Sequence, residues 1–324
     1  LPSGDLWYAY LVRYHTTTEL TPAQVHELGL REVARLQVGL AALQPALGVG
    51  GDARAVFDAM RADARFKFAN AAALLAGYEA LRGRVEQNLA SQFTRTPNAD
   101  FVIRAVEPYR AASTAGTSYQ APSADGSRPG VLYVNTSELP TRASYLLEPA
   151  YLHAAVPGHH LQRALTQQTP NLPSFRRFGR DSAYVEGWAL YAQSLGPQLG
   201  LYADPYAQLG ALTLELAHAA RLVVDTGIHA QGWNRQRAVD YLRANTALGE
   251  AEIQADVDRC IARPGEGVAG KVGQLQILAL RRRAEQQLGP RFDIREFHEQ
   301  VIAGGSLPLP VLESKLDDWM GSRR

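Results

Sequence analysis

Beyond residue 148 the chain is almost continuously patterned for helices, and this constrains the fold more than any other feature. Helical segments are expected at 148–168, 182–195, 205–230, 235–245, 250–262, 268–288, 294–302 and 309–320, separated by short breaks. Their ends carry recognisable chemistry. Pro205 sits at a helix start, Asp293 with Glu296 makes a D-x-x-E arrangement, and Gly304-Gly305 is a stop. In the first half, Thr21-Pro22-Ala23-Gln24 combines an N-cap threonine, a proline at the first helical position and a glutamine at the third. Val25, Leu28, Val33, Leu36, Leu40 and Leu43 follow at helical spacing until the glycines of 48–51. Two further helices are expected at 53–62 and 71–93, after an aromatic-rich opening that holds Trp7, Tyr8, Tyr10 and Tyr14.

Two segments read as strands, 101–106 and 131–135, because their apolar residues alternate or run together briefly. The stretch 109–130 between them is rich in Ser, Pro, Ala and Gly and reads mostly as loop. The expected fold is therefore mainly α and multi-helical, with a small antiparallel β element near residues 101–135. Composition changes most sharply near residue 140. It separates an N-terminal helical and β part, about 1–140, from a helical part, about 141–324, within one expected domain.

Several function classes are disfavoured at once. A formal net charge of +1 gives no general attraction to nucleic acid or an anionic membrane. No apolar run is long enough to span a bilayer. Cys260 stands alone, so no internal disulfide framework exists. The chain opens on Leu1 without a leader, which reads as a processed form or a fragment. The compartment, cytoplasmic or exported, is left open.

Three of the eight histidines, His153, His159 and His160, crowd one helix-patterned segment that Pro157-Gly158 interrupts. Zinc is held by neutral imidazoles and a carboxylate with one position open. Glu186, at the start of the next apolar helix, is the candidate carboxylate. His153 and His160 are two turns apart, so an unbroken helix would put both on one face. A kink at Pro157 could instead bring His159 beside His153. The plainer alternative is a pair of helix termini with exposed histidines and a capping glutamate. Farther on, Arg221, Asp225 and His229 are spaced by four and share a helix face. Asp225 is expected to pair with Arg221 and to fix the tautomer of His229, with Glu215 and His218 close to the stripe.

These residues carry a resemblance. Tyr14-His15-Thr16-Thr17-Thr18, Glu19-Leu20-Thr21-Pro22 and His26-Glu27-Leu28-Gly29-Leu30 come first, then Asp125-Gly126-Ser127-Arg128-Pro129-Gly130 and Val134-Asn135-Thr136. The helical half adds Pro157-Gly158-His159-His160-Leu161-Gln162, Arg177-Phe178-Gly179, Tyr184-Val185-Glu186-Gly187-Trp188-Ala189-Leu190-Tyr191 and the stretch from Arg221 to His229. Phe297-His298 and Leu307-Pro308-Leu309 close the series. In this order they resemble the bacterial domain-of-unknown-function 885 family, whose members are similar to gluzincin-type metallopeptidases. The resemblance implies a helical metallopeptidase-like fold with a deep cleft. Zinc would be held by His153, His159 and Glu186, with His160 as the alternative ligand that helix spacing favours. His229 and Arg221 would line the cleft. It also implies a further N-terminal helical region, which a partner chain or a second copy could supply.

The departures bear on activity. The family pattern places a glutamate after the first histidine, where this chain has Ala154. A family tyrosine is Gly270, a glutamine is Glu266, a tyrosine is Cys260 and a glutamate is Gln193. Hydrolysis needs a proton acceptor and a donor, so three readings stand. The chain is a peptidase- or amidase-like metallohydrolase without its base. Or it is a repurposed, even metal-free, small-molecule enzyme of specialised metabolism in which Glu266, Cys260, Asp225 or His229 does acid–base work. Or it is a catalytically dead binding subunit. A peptide or small molecule is the expected ligand.

Overall fold

The aromatic opening is itself a helix. In the computed structural model, which describes residues 2–111, 114 and 116–323, α1 (Gly4–Thr16) buries Tyr8, Val12 and Thr16 at four-residue spacing and leaves Trp7, Tyr10 and Tyr14 to solvent. The capping box then works as its residues dictate. Thr21 accepts the Gln24 backbone N–H and Gln24 accepts that of Thr21, which starts α2 (Pro22–Leu47). Side chains of Asp52 and Asn70 cap α3 (Ala53–Ala62) and α4 (Ala71–Leu89) in the same way.

The β element is a three-stranded mixed sheet. It comprises β1 (Phe101–Ala105), a one-turn helix α5 (Pro108–Ala111), β2 (Thr117–Gln120) and β3 (Gly130–Val134), in the order β1-β3-β2. β1 and β3 run parallel, Phe101 opposite Gly130, rather than antiparallel as expected. The chain between them reverses twice, around α5 and again between β2 and β3, so β3 returns in the direction of β1. The antiparallel partner is β2, with Thr117 opposite Val134, inside the stretch expected to be loop.

The second half is helical throughout: α6 (Leu147–Ala154), α7 (His159–Gln168), the one-turn α8 (Ser174–Arg177), α9 (Ser182–Gln193) and α10 (Pro205–Ala230). There follow α11 (Arg235–Asn245), α12 (Glu250–Ala262), α13 (Ala269–Leu288), α14 (Ile294–Ile302) and α15 (Leu309–Ser322). No helix among the described residues is long and apolar enough to cross a membrane.

Two large apolar clusters hold these elements. One joins α4, the sheet, α6, α7, α9 and α13–α15 through Tyr78, Phe101, Tyr151, Trp188, Tyr191 and Phe297. The other joins α2, α3 and α10–α12 through Leu36, Phe57, Val223, Leu242 and Ile253. Each draws on residues from both sides of position 140. One helix crossing is especially close. A Cβ on Gly187 would lie 2.5 Å from the backbone of Gly273, so α9 and α13 touch backbone to backbone. That contact fixes Glu186, one residue earlier on α9, against the start of α13.

Candidate metal centre

The expected helix over 148–168 is two helices. α6 ends at Ala154, the chain turns through a cis Val156–Pro157 peptide, and α7 begins at His159. Gly158 permits the turn, because a Cβ there would lie 1.9 Å from the His153 carbonyl oxygen. The Trp188 indole N–H donates to the Pro157 carbonyl at 2.9 Å, which ties the turn to the helix that carries Glu186.

The break decides which histidines meet. His153 and His159 stand edge to face with ring centroids 4.9 Å apart. Their Nε2 atoms lie 3.9 and 3.5 Å from Oε2 of Glu186. One donor atom from each of the three residues lies within 4.8 Å of the others. Donors on a tetrahedral zinc with bonds of ~2.0–2.1 Å would be roughly 3.3 Å apart. The two distances to Glu186 lie near that value, and two imidazoles with one carboxylate are a zinc donor set, so the residues fit the metal. The side chains are 18, 12 and 30% exposed, which leaves the centre reachable from solvent.

His160 corrects the helix-spacing argument. With α6 and α7 broken apart, the two-turn rule no longer applies. His160 points into the core, where its Nδ1 bonds the Tyr119 hydroxyl at 2.8 Å and its ring packs on Phe101. It is a structural histidine, held neutral by burial with its pKa pushed down to about 4.

The ionisation states of Glu186 and His153 suit metal ligands, although the nearby charges are arginines. Burial opposes ionisation of Glu186, but His159, its hydrogen bond, His153 and Arg180 together hold its carboxyl well below the usual range. Arg180 donates to Oε1 at 2.6 Å, so Oε2 is left for the histidines. Burial, then the neighbouring His159, push His153 down to about 3, which keeps it neutral. Gln193 meets the other face of His153, its amide Nε2 lying 2.9 Å from Nδ1. His218 stacks on His153 with centroids 5.9 Å apart. Sequence spacing gives His218 only as a neighbour of the α10 stripe; the stacking crosses from α6 to α10, which periodicity within one helix does not reveal.

The α10 stripe is not the relay its spacing suggests. Arg221 donates to Asp256 at 2.8 Å and approaches His218 Nδ1 at 3.2 Å. Asp225 accepts from the Tyr8 hydroxyl at 2.6 Å and the Gly265 N–H at 2.9 Å. His229 uses Nε2 on the Cys260 carbonyl oxygen at 2.9 Å. The face is shared as expected, yet the three side chains do not pair with one another: their main partners lie on α1, α12 and the 263–268 turn, and Arg221 also approaches His218 on α10. Burial raises Asp225 to about 6, against the two hydrogen bonds it accepts.

The residues that replace family positions fall in different surroundings. Ala154 is buried in the larger apolar cluster. A Cβ on Gly270 would lie 3.1 Å from the Cβ of Glu186, so a side chain at 270 would stand over the trio. Glu266 pairs with Arg263 at 3.3 Å, and 42% of its side chain is exposed. Burial, then Asp225, push the Cys260 thiol up to about 12, which removes it as a nucleophile.

A family model described as "Bacterial protein of unknown function (DUF885)" matches residues 2–316, and the chain belongs to that family. Among solved structures it is similar to a "putative lipoprotein" from Colwellia psychrerythraea, at 34% identity and a TM-score of 0.96, over 99% of this chain and 56% of that one. A second, from Shewanella oneidensis and described as a "putative lipoprotein of unknown function", has 18% identity and a TM-score of 0.80, over 95% of this chain and 59% of that one; it supports the fold alone. This chain thus spans a little over half the length of the solved relatives it matches. No curated protein matches it.

Proposed function

We propose that this family member binds zinc through His153, His159 and Glu186 and holds an acyl or amide ligand there without hydrolysing it efficiently. The observation that carries the reading is a contrast at one site. Three donors converge on one point, yet the positions that would supply proton transfer hold Ala154, Gly270 and the neutral Gln193. When bound, zinc supplies a Lewis acid for a carbonyl oxygen. The chain's own residues do the rest. Gln193 orients the His153 ring, Arg180 holds the second carboxylate oxygen of Glu186, and Trp188 fixes the turn that brings His159 forward. Glu266, paired with Arg263, does not restore the base, and the α10 stripe is occupied by structural partners. The lipoprotein name of the Colwellia relative supports an exported location for this chain as well.

The test is elemental analysis of protein purified without added metal, beside an Ala154→Glu variant. The expected result is about one zinc in both, with peptide or amide hydrolysis arising only in the variant. No metal in either would overturn the proposal, and the trio would then be a hydrogen-bonded group in a metal-free binding site.

A further inference from the structure

A second polar recess adjoins Glu186. It is a cavity of ≈ 60 Å³ lined by Gln162, Arg163, Arg177, Arg180, Tyr184 and Val185 among others. Arg163 lies one turn after His159 on α7, so the two share a face. Arg180 reaches from the same recess to Glu186. The recess and the metal trio therefore have walls in common.

Two side chains of the recess are short of hydrogen-bond partners among the described residues. Arg163 is partly buried, and among the described residues it makes no hydrogen bond or ion pair. Burial, then the nearby Arg180, lower its pKa, against weaker opposing contributions from Tyr119 and Glu186. Gln162 is 1% exposed, and apart from its approach to the Tyr184 hydroxyl neither its Nε2 nor its Oε1 has a well-formed hydrogen bond among the described residues. The adjacent Tyr184 hydroxyl gives its proton to the Val301 carbonyl at 2.8 Å. The remaining cations are partly used: Arg177 donates to the Thr169 carbonyl at 3.0 Å and Arg180 to Glu186. Leaving a buried amide without partners is costly, so such groups are ordinarily satisfied.

We propose that the recess is a subsite for the C-terminal residue of a peptide or an N-acyl amino acid. Arg163, with Arg180 beside it, pairs with the terminal carboxylate, and Gln162 donates Nε2–H to that carboxylate while Oε1 accepts the adjoining amide N–H. The orphan pair on Gln162 selects this chemistry. It needs an acceptor and a donor side by side, which a peptide terminus offers in its carboxylate and adjoining amide N–H. A guanidinium also matches the planar carboxylate as a two-pronged pair. The volume suits a carboxylate with its neighbouring N–H rather than a bulky group. Such a ligand would have its acyl carbonyl turned toward Glu186. The assignment deepens the proposed zinc-site reading and rests on it for the role of that carbonyl.

Isothermal titration with N-acetyl-L-alanine, its C-terminal amide and inorganic phosphate tests the subsite on wild type and on Arg163→Gln. Each protein is used both zinc-loaded and chelator-stripped. N-acetyl-L-alanine is expected to bind, the amide about tenfold or more weakly, and Arg163→Gln to reduce the acid to the level of the amide with zinc content unchanged. Arg163→Lys should recover part of the loss. Equal binding of acid and amide, no binding of the acid at millimolar concentration, or phosphate binding as tight as the acid would each overturn the subsite. Carboxylate selectivity that persists in protein unable to hold zinc would support the subsite and sink only the metal reading.

Discussion

The trio of His153, His159 and Glu186 and the stripe of Arg221, Asp225 and His229 hold similar chemistry and have different fates. Each sets histidine and carboxylate with an arginine, Arg180 beside the trio and Arg221 within the stripe. In the trio, side chains from three helices face one another across a solvent-reachable gap, and two nitrogens converge on one oxygen. In the stripe, side chains from one helix face outward into different neighbours, and each bonds a separate partner, with Oδ2 of Asp225 left over. Convergence needs elements that cross; residues on a single helix face run parallel and are more easily taken up as structural ties.

The sharpest test sets one carboxylate of each region against the other. Glu186→Gln is expected to lose nearly all bound zinc, a fall of about a hundredfold or more in affinity for the loss of a charged ligand. Asp225→Asn should keep it. Elemental analysis of both variants after dialysis decides the matter. Zinc retained in Glu186→Gln, or lost only in Asp225→Asn, would exchange the roles of the two regions.

The stripe should instead answer in stability. Asp225→Ala leaves the Tyr8 hydroxyl and the Gly265 N–H without their acceptor in a buried site. A loss of about 2–4 kcal/mol is expected in urea unfolding at neutral pH. The folded pKa of Asp225 is raised to about 6 from an ordinary value of 3.8, so its contribution is greatest at low pH and declines as pH rises through about 6. The cost of Asp225→Ala is therefore expected to be about 1 kcal/mol larger at pH 5 than at pH 7. A smaller cost at pH 5 would reverse the sign of that linkage.

A histidine with no part in either region gives the opposite pH response. His298 is fully buried between Tyr191, at 2.7 Å, and the Gln92 carbonyl, at 2.7 Å. Burial, against the backbone bond to Gln92, pushes it down to about 3. Its contribution is present above the unfolded value of 6.5 and is lost as pH falls toward 3. Wild type should lose about 2 kcal/mol through this group between pH 7 and pH 5, and His298→Asn should lose less over that interval, whatever its stability at pH 7. Parallel pH curves for the two proteins would remove His298 as a source of acid sensitivity.

Much of the fold was legible from residues, and the failures have physical causes. Helices with chemical caps ran as expected: 205–230, 235–245, 250–262 and 294–302. α1 was harder to read because its N-cap Ser3 makes no side-chain cap bond and its large aromatics lie mostly outside. β2 was missed because an edge strand of Thr-Ser-Tyr-Gln carries little apolar signal. Strand direction is not encoded in strand composition at all. At the site, the ligand set came from resemblance, while spacing alone preferred His160; the turn at 155–158 reorients a ring through backbone geometry that no periodicity describes. Gln162, Arg177 and Arg163 lay within or beside quoted motifs, but their shared recess appears only when α7 packs against the approach to α9.

Gln193 offers the finest distinction between a metal centre and a hydrogen-bonded polar trio. Its amide Nε2 lies 2.9 Å from His153 Nδ1. With the amide donating, the neutral ring carries its proton on Nε2, the atom that faces Glu186. A zinc-binding ring needs its lone pair there and its proton on Nδ1. Turning the amide over places Oε1 on Nδ1 and provides that tautomer, at the cost of no other hydrogen bond known for this side chain. A glutamate at 193 can only accept, so it holds the metal-competent ring alone; a glutamine serves both states. Gln193→Glu is therefore expected to tighten zinc about tenfold in competition with a chelator, and Gln193→Leu to weaken it by about the same factor. A metal-free trio predicts no ordering of the three proteins, because the amide as it stands already satisfies the ring.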